Sequence, residues 1–170
     1  MDFVGKSRGD DGSDLGGADG VTIEQLYSEL QSVEDDGGVR LAPEQRSEVI
    51  LDDVVETLFD GRGFRFDDSV VKENLDVVLL LLIAHRSSDT HGKGLMGDLA
   101  NVFDARLSPG TVYPQLHELE EEGLLEVQEL VRTKEYLVDD EEALAERVTA
   151  AMEQHLTLGL FLRAALSELD

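Results

Sequence analysis

The chain contains no cysteine and no tryptophan, three prolines, and only four lysines, Lys6, Lys72, Lys93 and Lys134. The absence of cysteine excludes a disulfide framework, a thiolate metal site and a thiol nucleophile. Long apolar runs are missing too. The longest, Val77 to Ala84, is far too short to cross a bilayer, so no membrane partner is expected. Residues 1–20 mix aspartate and glycine where a leader would be basic and then apolar, which implies a cytoplasmic location. No nucleophile stands at a recognisable spacing from a base and no glycine loop cradles a phosphate, so an enzyme is not expected. The four histidines follow no zinc spacing, and neither metal nor cofactor is expected.

Acid is what the chain has in abundance. Thirty-eight Asp and Glu against 14 Lys and Arg give a formal net charge of -24, and the sequence pI is about 4.2. With 41% apolar residues the chain still has enough to bury for a real core. A folded, lysine-poor, acidic protein fits a cell that keeps molar salt in its cytoplasm. The charge argues at first sight against nucleic acid. At about 1 M salt, however, the Debye length is roughly 3 Å, so repulsion between an acidic surface and phosphate is nearly gone beyond contact. The charge is also uneven. From His85 to His117, Asp89, Asp98 and Asp104 are balanced by Arg86, Lys93 and Arg106.

Within that neutral stretch begins the most fully punctuated segment, Ser108 to Gly123. Ser108 is suited to cap the free N–H groups, Pro109 to occupy the first helical position, and Gly123 to end the helix left-handed. Val112, Leu116 and Leu119 form a narrow apolar stripe, with Thr111, Pro114 and Glu118 facing away. Pro114 lies inside the helix, where proline normally costs about 3 kcal/mol. Its missing N–H would have met the Gly110 carbonyl, so the loss is confined to the end whose free N–H groups suit a phosphate.

The run Ser108-Pro109-Gly110-Thr111-Val112-Tyr113-Pro114-Gln115-Leu116, followed by Leu119-Glu120 and Gly123-Leu124-Leu125, resembles the recognition helix of PadR-like winged helix-turn-helix transcription regulators. His91-Gly92 upstream and Lys134-Glu135-Tyr136 downstream fall where that family begins its second helix and forms its wing. The resemblance covers roughly the second half of the chain and none of residues 1–66. It implies a homodimer on double-stranded DNA. Family members carry an aromatic residue after the His-Gly pair; here Lys93 stands there and offers a phosphate contact instead. The wing tip is less basic than usual, with Arg132 and Lys134 only. Some relatives bind small aromatic molecules at the dimer centre, but this sequence identifies no effector.

The expected fold is mainly α with a small β-wing. An acidic disordered tail covers residues 1–20, and a helical extension follows over 21–66. Residues 67–139 form the winged helix-turn-helix, and 140–170 a long C-terminal dimerisation helix. The extension reads as two helices. One runs from Thr22 to about Asp35. The other is opened by Pro43, runs to about Asp60 before Gly61 and Gly63, and carries the stripe Val49, Leu51, Val54, Val55, Leu58 and Phe59. Gly63 to Phe66 reads equally as a very short strand or as a linker with two anchors. Asp68 or Ser69 caps a helix to about Arg86, and a further helix spans about Lys93 to Phe103. Strands follow after Gly123 and over Lys134 to Val138.

Along the last helix, Leu144, Val148, Ala151, His155, Leu158, Leu162, Ala165 and Leu169 alternate spacings of four and three, the heptad signature of a two-helix seam. A fold-back of this helix on the chain's own N-terminal helices is the competing arrangement. The residues expected to contact DNA are Lys93, Ser108, Thr111, Tyr113, Gln115, His117, Arg132 and Lys134. The competing function is an adaptor that uses the winged domain and C-terminal helix to bind protein and never touches DNA.

Overall fold

The apolar run around Leu79 becomes the centre of the fold because that helix meets another element on nearly all sides. The computed structural model describes residues 45–60, 62–86 and 88–169, all within the chain's compact unit at 40–170. The expected tail, the Thr22 helix and Pro43 lie outside the described residues. The elements, in order, are α1 (Arg46–Phe59), α2 (Asp68–Glu73), α3 (Leu75–His85), α4 (Gly92–Val102), α5 (Pro109–Glu121), β1 (Leu125–Glu129), β2 (Lys134–Val138) and α6 (Glu141–Ser167).

Leu79 and Leu80 of α3, Leu95 and Leu99 of α4, and Val112, Leu116 and Leu119 of α5 are completely buried against one another. Each large aliphatic side chain so buried contributes about 1.5–3 kcal/mol relative to exposure. Leu124, Leu125 and Tyr136 extend this core beneath the wing. The wing is one antiparallel hairpin, registered from Leu125 opposite Val138 to Glu129 opposite Lys134. His91 bridges to Glu135 on its free side, which ties the start of α4 to β2.

Several local features differ from the sequence expectation. The helix expected from Asp68 or Ser69 to Arg86 is two helices, interrupted at Asn74, which leaves helical geometry with φ -115 and ψ 22. Its side-chain amide donates to the Val70 carbonyl at 2.8 Å, offering the backbone an alternative to the helical ladder. The N-cap is Asp67, whose Oδ1 accepts from the Ser69 N–H at 3.0 Å and hydroxyl at 2.7 Å. α1 ends on Asp60, left-handed at φ 49, and not on a glycine. Leu58, expected on the inner stripe, is 45% exposed. Gly63 to Phe66 is a linker whose rings do the anchoring. Phe64 stacks on Phe59 with centroids 4.6 Å apart, meets Phe66 edge-on, and Phe66 reaches Phe103 at the end of α4.

A buried ion pair sets the approach to α4. Arg86 donates Nε and a terminal nitrogen to the two oxygens of Asp98 at 2.6 Å each, with both side chains under 15% exposed, and to the Asp89 carbonyl at 3.0 Å. This fork draws the end of α3, the loop and α4 together. Gly94 is required by the same closure, because a Cβ there would lie 2.6 Å from the Asp89 carbonyl oxygen. α6 starts at Asp140, whose carboxylate accepts from the Ala143 N–H at 2.9 Å.

Candidate nucleic-acid interface

α5 is held by its inner stripe and by a well-made C-terminus. The Leu124 N–H reaches the Leu119 carbonyl and the Gly123 N–H the Glu120 carbonyl, both at 3.0 Å, with Gly123 left-handed at φ 76. That pair of bonds is the Schellman arrangement, and it turns the chain straight into β1. Pro109 opens the helix and Pro114 is accommodated within it. Ser108 occupies the N-cap position, but its side chain caps no N–H. Its hydroxyl pairs with the Thr111 hydroxyl at 3.1 Å, while its carbonyl receives the Thr111 and Val112 N–H groups.

On the outside of α5, Tyr113, Pro114, His117 and Glu118 are exposed, and Thr111 and Gln115 are half-buried. Gln115 donates to Glu118 at 3.0 Å. His117 stands between Glu120 at 3.4 Å and Glu121 at 3.5 Å, so two carboxylates flank it in an exposed position. The ring of Tyr113 rests on the backbone of Gly92, where any Cβ would lie 2.6 Å from the ring. A side chain at Gly92 would therefore push the exposed Tyr113 ring aside.

Between α5 and the wing lies an open cleft of about 850 Å³. It gathers five of the eight expected contact residues, Lys93, Tyr113, His117, Arg132 and Lys134, together with His91 and Tyr136. Ser108, Thr111 and Gln115 are not part of its lining. Lys134 is partly committed, lying 3.3 Å from Glu129 across the hairpin. Burial, and then the neighbouring Tyr113, raise the Tyr136 phenol above its ordinary range, so it stays protonated and able to donate.

Two features of this face were not read from the sequence. Arg106, in the turn between α4 and α5, is exposed, and no ion pair engages it among the described residues. Its place in the charge-balanced stretch was the available signal. At the wing tip, just past the end of β1, Val131 is fully exposed and Leu130 45% exposed. The Leu130 N–H bonds the Thr133 carbonyl at 2.8 Å, and this turn holds both side chains outward from the sheet.

The expected seam of α6 divides in two. Leu144 packs against the protein's own core, and Val148, Ala151 and His155 line a 250 Å³ apolar groove with Phe66, Val70, Val77, Val78 and Phe103. The His155 ring bonds the Ala151 carbonyl of its own helix at 2.7 Å. Leu158 at 57%, Leu162 at 57% and Leu169 at 82% exposure belong to the second half, where Phe161 and Leu166 are also uncovered. Among the described residues, the first half of the expected seam thus faces α2, α3 and the end of α4 of its own protomer, and not the N-terminal helices of the competing fold-back.

Two helices in contact across a short turn, with a two-stranded wing directly after the second, define a winged helix-turn-helix. The sequence pattern of the transcriptional regulator PadR-like family matches residues 79–141, from the middle of α3 to the first residue of α6. This segment belongs to the PadR-like family. The chain is similar to the transcriptional activator GvpE1 of Halobacterium salinarum, with 40% identity over 124 residues, 70% of this chain and 64% of that one. It is also similar to the transcriptional activator GvpE of Haloferax mediterranei, with 38% identity over 127 residues, 72% of this chain and 66% of that one. The chain thus spans just under two thirds of either relative. Both relatives come from halophiles, in keeping with the acidic, lysine-poor composition around the PadR-like domain. Among the described residues no helix is long and apolar enough to cross a membrane.

Proposed function

We propose that the protein regulates transcription by binding DNA as a homodimer in high salt. α5 enters the major groove of each half-site, and the wing lies on the flanking backbone. The observation that carries this reading is the juxtaposition of the uncovered face of α5 with Lys93 and Arg132 across one cleft. In a chain of net charge -24 these cations carry no carboxylate partner among the described residues. Thr111 and Gln115 supply base contacts and Tyr113 a hydroxyl for phosphate. Arg106 adds a third cation, at the turn between α4 and α5.

Salt that screens repulsion also weakens counterion release, so affinity rests on short-range contact. Val131 and Leu130 fit that demand, because apolar packing on the sugar edges is not screened. The relatives' names as transcriptional activators support positive regulation here. Dimerisation through Leu158, Phe161, Leu162 and Leu166 would cover apolar surface that is otherwise open to water.

A gel shift in molar KCl with the protein's own upstream region tests the reading. Sequence-specific retardation is expected, and its absence from folded protein would favour a protein-binding adaptor. Replacing Thr111 and Gln115 together by Ala should reduce discrimination between cognate and random duplex by about 1–3 kcal/mol per lost contact. Unchanged discrimination would remove α5 from the interface.

A further inference from the structure

Three elements far apart in sequence converge on one guanidinium. Arg147, in the second turn of α6, donates to Asp76 in the first turn of α3 at 2.9 Å and, through its other terminal nitrogen, to Glu122 at the C-terminal cap of α5. Asp76 and Glu122 belong to different helices, so the arginine bridges the core helix and the reading helix from a position on the C-terminal helix.

The rest of that attachment is apolar. Ala143 and Leu144 pack on the core, and Val148, Ala151 and Met152 border the groove beside α2 and α3. Apolar contact holds α6 down but is non-directional, so it permits the helix axis to tilt. A planar guanidinium with two carboxylate acceptors fixes direction as well as distance. Beyond His155 the helix projects away with mostly exposed side chains. A small change of angle at Arg147 is therefore magnified along the projecting part.

We propose that the Arg147–Asp76–Glu122 triad is a positioning strut that fixes the angle between the reading helix and the projecting half of α6, and so sets the half-site spacing the dimer accepts. The inference rests on the DNA-binding reading above for its consequence, but its geometric content is independent of DNA. Arg147 touches no nucleic acid in this scheme and acts through α5.

The chain lacks cysteine, so two introduced thiols are unique labelling sites. Spin labels at Glu118→Cys and Thr157→Cys, in protein diluted into excess unlabelled chain, report the angle by their distance distribution in molar KCl. The distribution should be narrow with Arg147 present and clearly broader with Arg147→Gln. Arg147→Lys, which keeps the charge without the fork, should fall between. An unchanged width in folded Arg147→Gln protein would overturn the proposal.

The second arm uses duplexes whose half-sites are moved apart in single base-pair steps. A rigid pair must twist the DNA to follow, so the intact protein should favour one spacing by about tenfold or more, and Arg147→Gln by about threefold or less. Binding to an isolated half-site should be unchanged. Retained spacing preference, or equal loss at the isolated half-site, would overturn the proposal. Failure of the unsubstituted protein to bind any duplex would defeat the functional reading alone, and the label distances would still decide whether the strut exists.

Discussion

Asp98 is the side chain whose loss the fold should tolerate least. Its two oxygens satisfy Arg86 in a pair that is almost wholly screened from water, and Arg86 in turn holds the Asp89 carbonyl. Removing one partner of a buried pair leaves the other charged and uncompensated, a cost of about 3–5 kcal/mol. Asp98→Ala should lower unfolding free energy by that amount in denaturant titrations in molar KCl; a loss below about 1 kcal/mol, typical of an exposed pair, would show that water reaches the site. Neither the partnership nor its burial is legible in the sequence, because the aspartate is one of 38 acidic residues that composition alone would place on the surface. The left-handed residues Asp60, Asp89 and Asp104 are hidden for the same reason. Aspartate tolerates that conformation better than most residues, but in so acidic a chain it gives no contrast.

Elements bounded by distinctive chemistry were readable, and those bounded by tertiary contact were not. α5 follows its proline and glycine punctuation, and β2 spans the expected Lys134 to Val138. The break at Asn74 has no strong local signal, since asparagine is only a mild helix breaker and apolar residues continue on both sides. The seat of α1 is also tertiary. The Ser47 hydroxyl pairs with His85 Nδ1 at 2.8 Å across 38 residues. Burial first, and then nearby Arg46, push the His85 pKa below its ordinary 6.5. A histidine held neutral in the folded state favours folding above the unfolded value, and that contribution is lost as pH falls through the folded value. Stability should therefore decline on acidification from neutrality to below 6.5. His85→Gln should flatten this part of the melting-temperature profile, and a profile as steep as the original would move the titration elsewhere.

For the molecule as a whole, the two halves of α6 differ in exposure. Ala143 and Leu144 pack on the protomer's own core and Val148, Ala151 and Met152 border its apolar groove, whereas Leu158, Phe161, Leu162 and Leu166 have no cover among the described residues. Replacing Leu158 and Leu162 by Asp should leave secondary structure intact and yield monomers in light scattering; a persistent dimer would place the interface elsewhere. The heptad spacing alone could not separate the two halves, because packing within a protomer and packing between protomers impose the same period. The central claim is that paired α5 helices read a two-fold site while salt mutes the repulsion between acid and phosphate. Hydroxyl-radical footprinting in molar KCl tests it most directly. Two protected patches on one face of the duplex, about one turn or roughly 34 Å apart, are the predicted result. A uniform cleavage ladder from folded, dimeric protein on its own upstream DNA would contradict it.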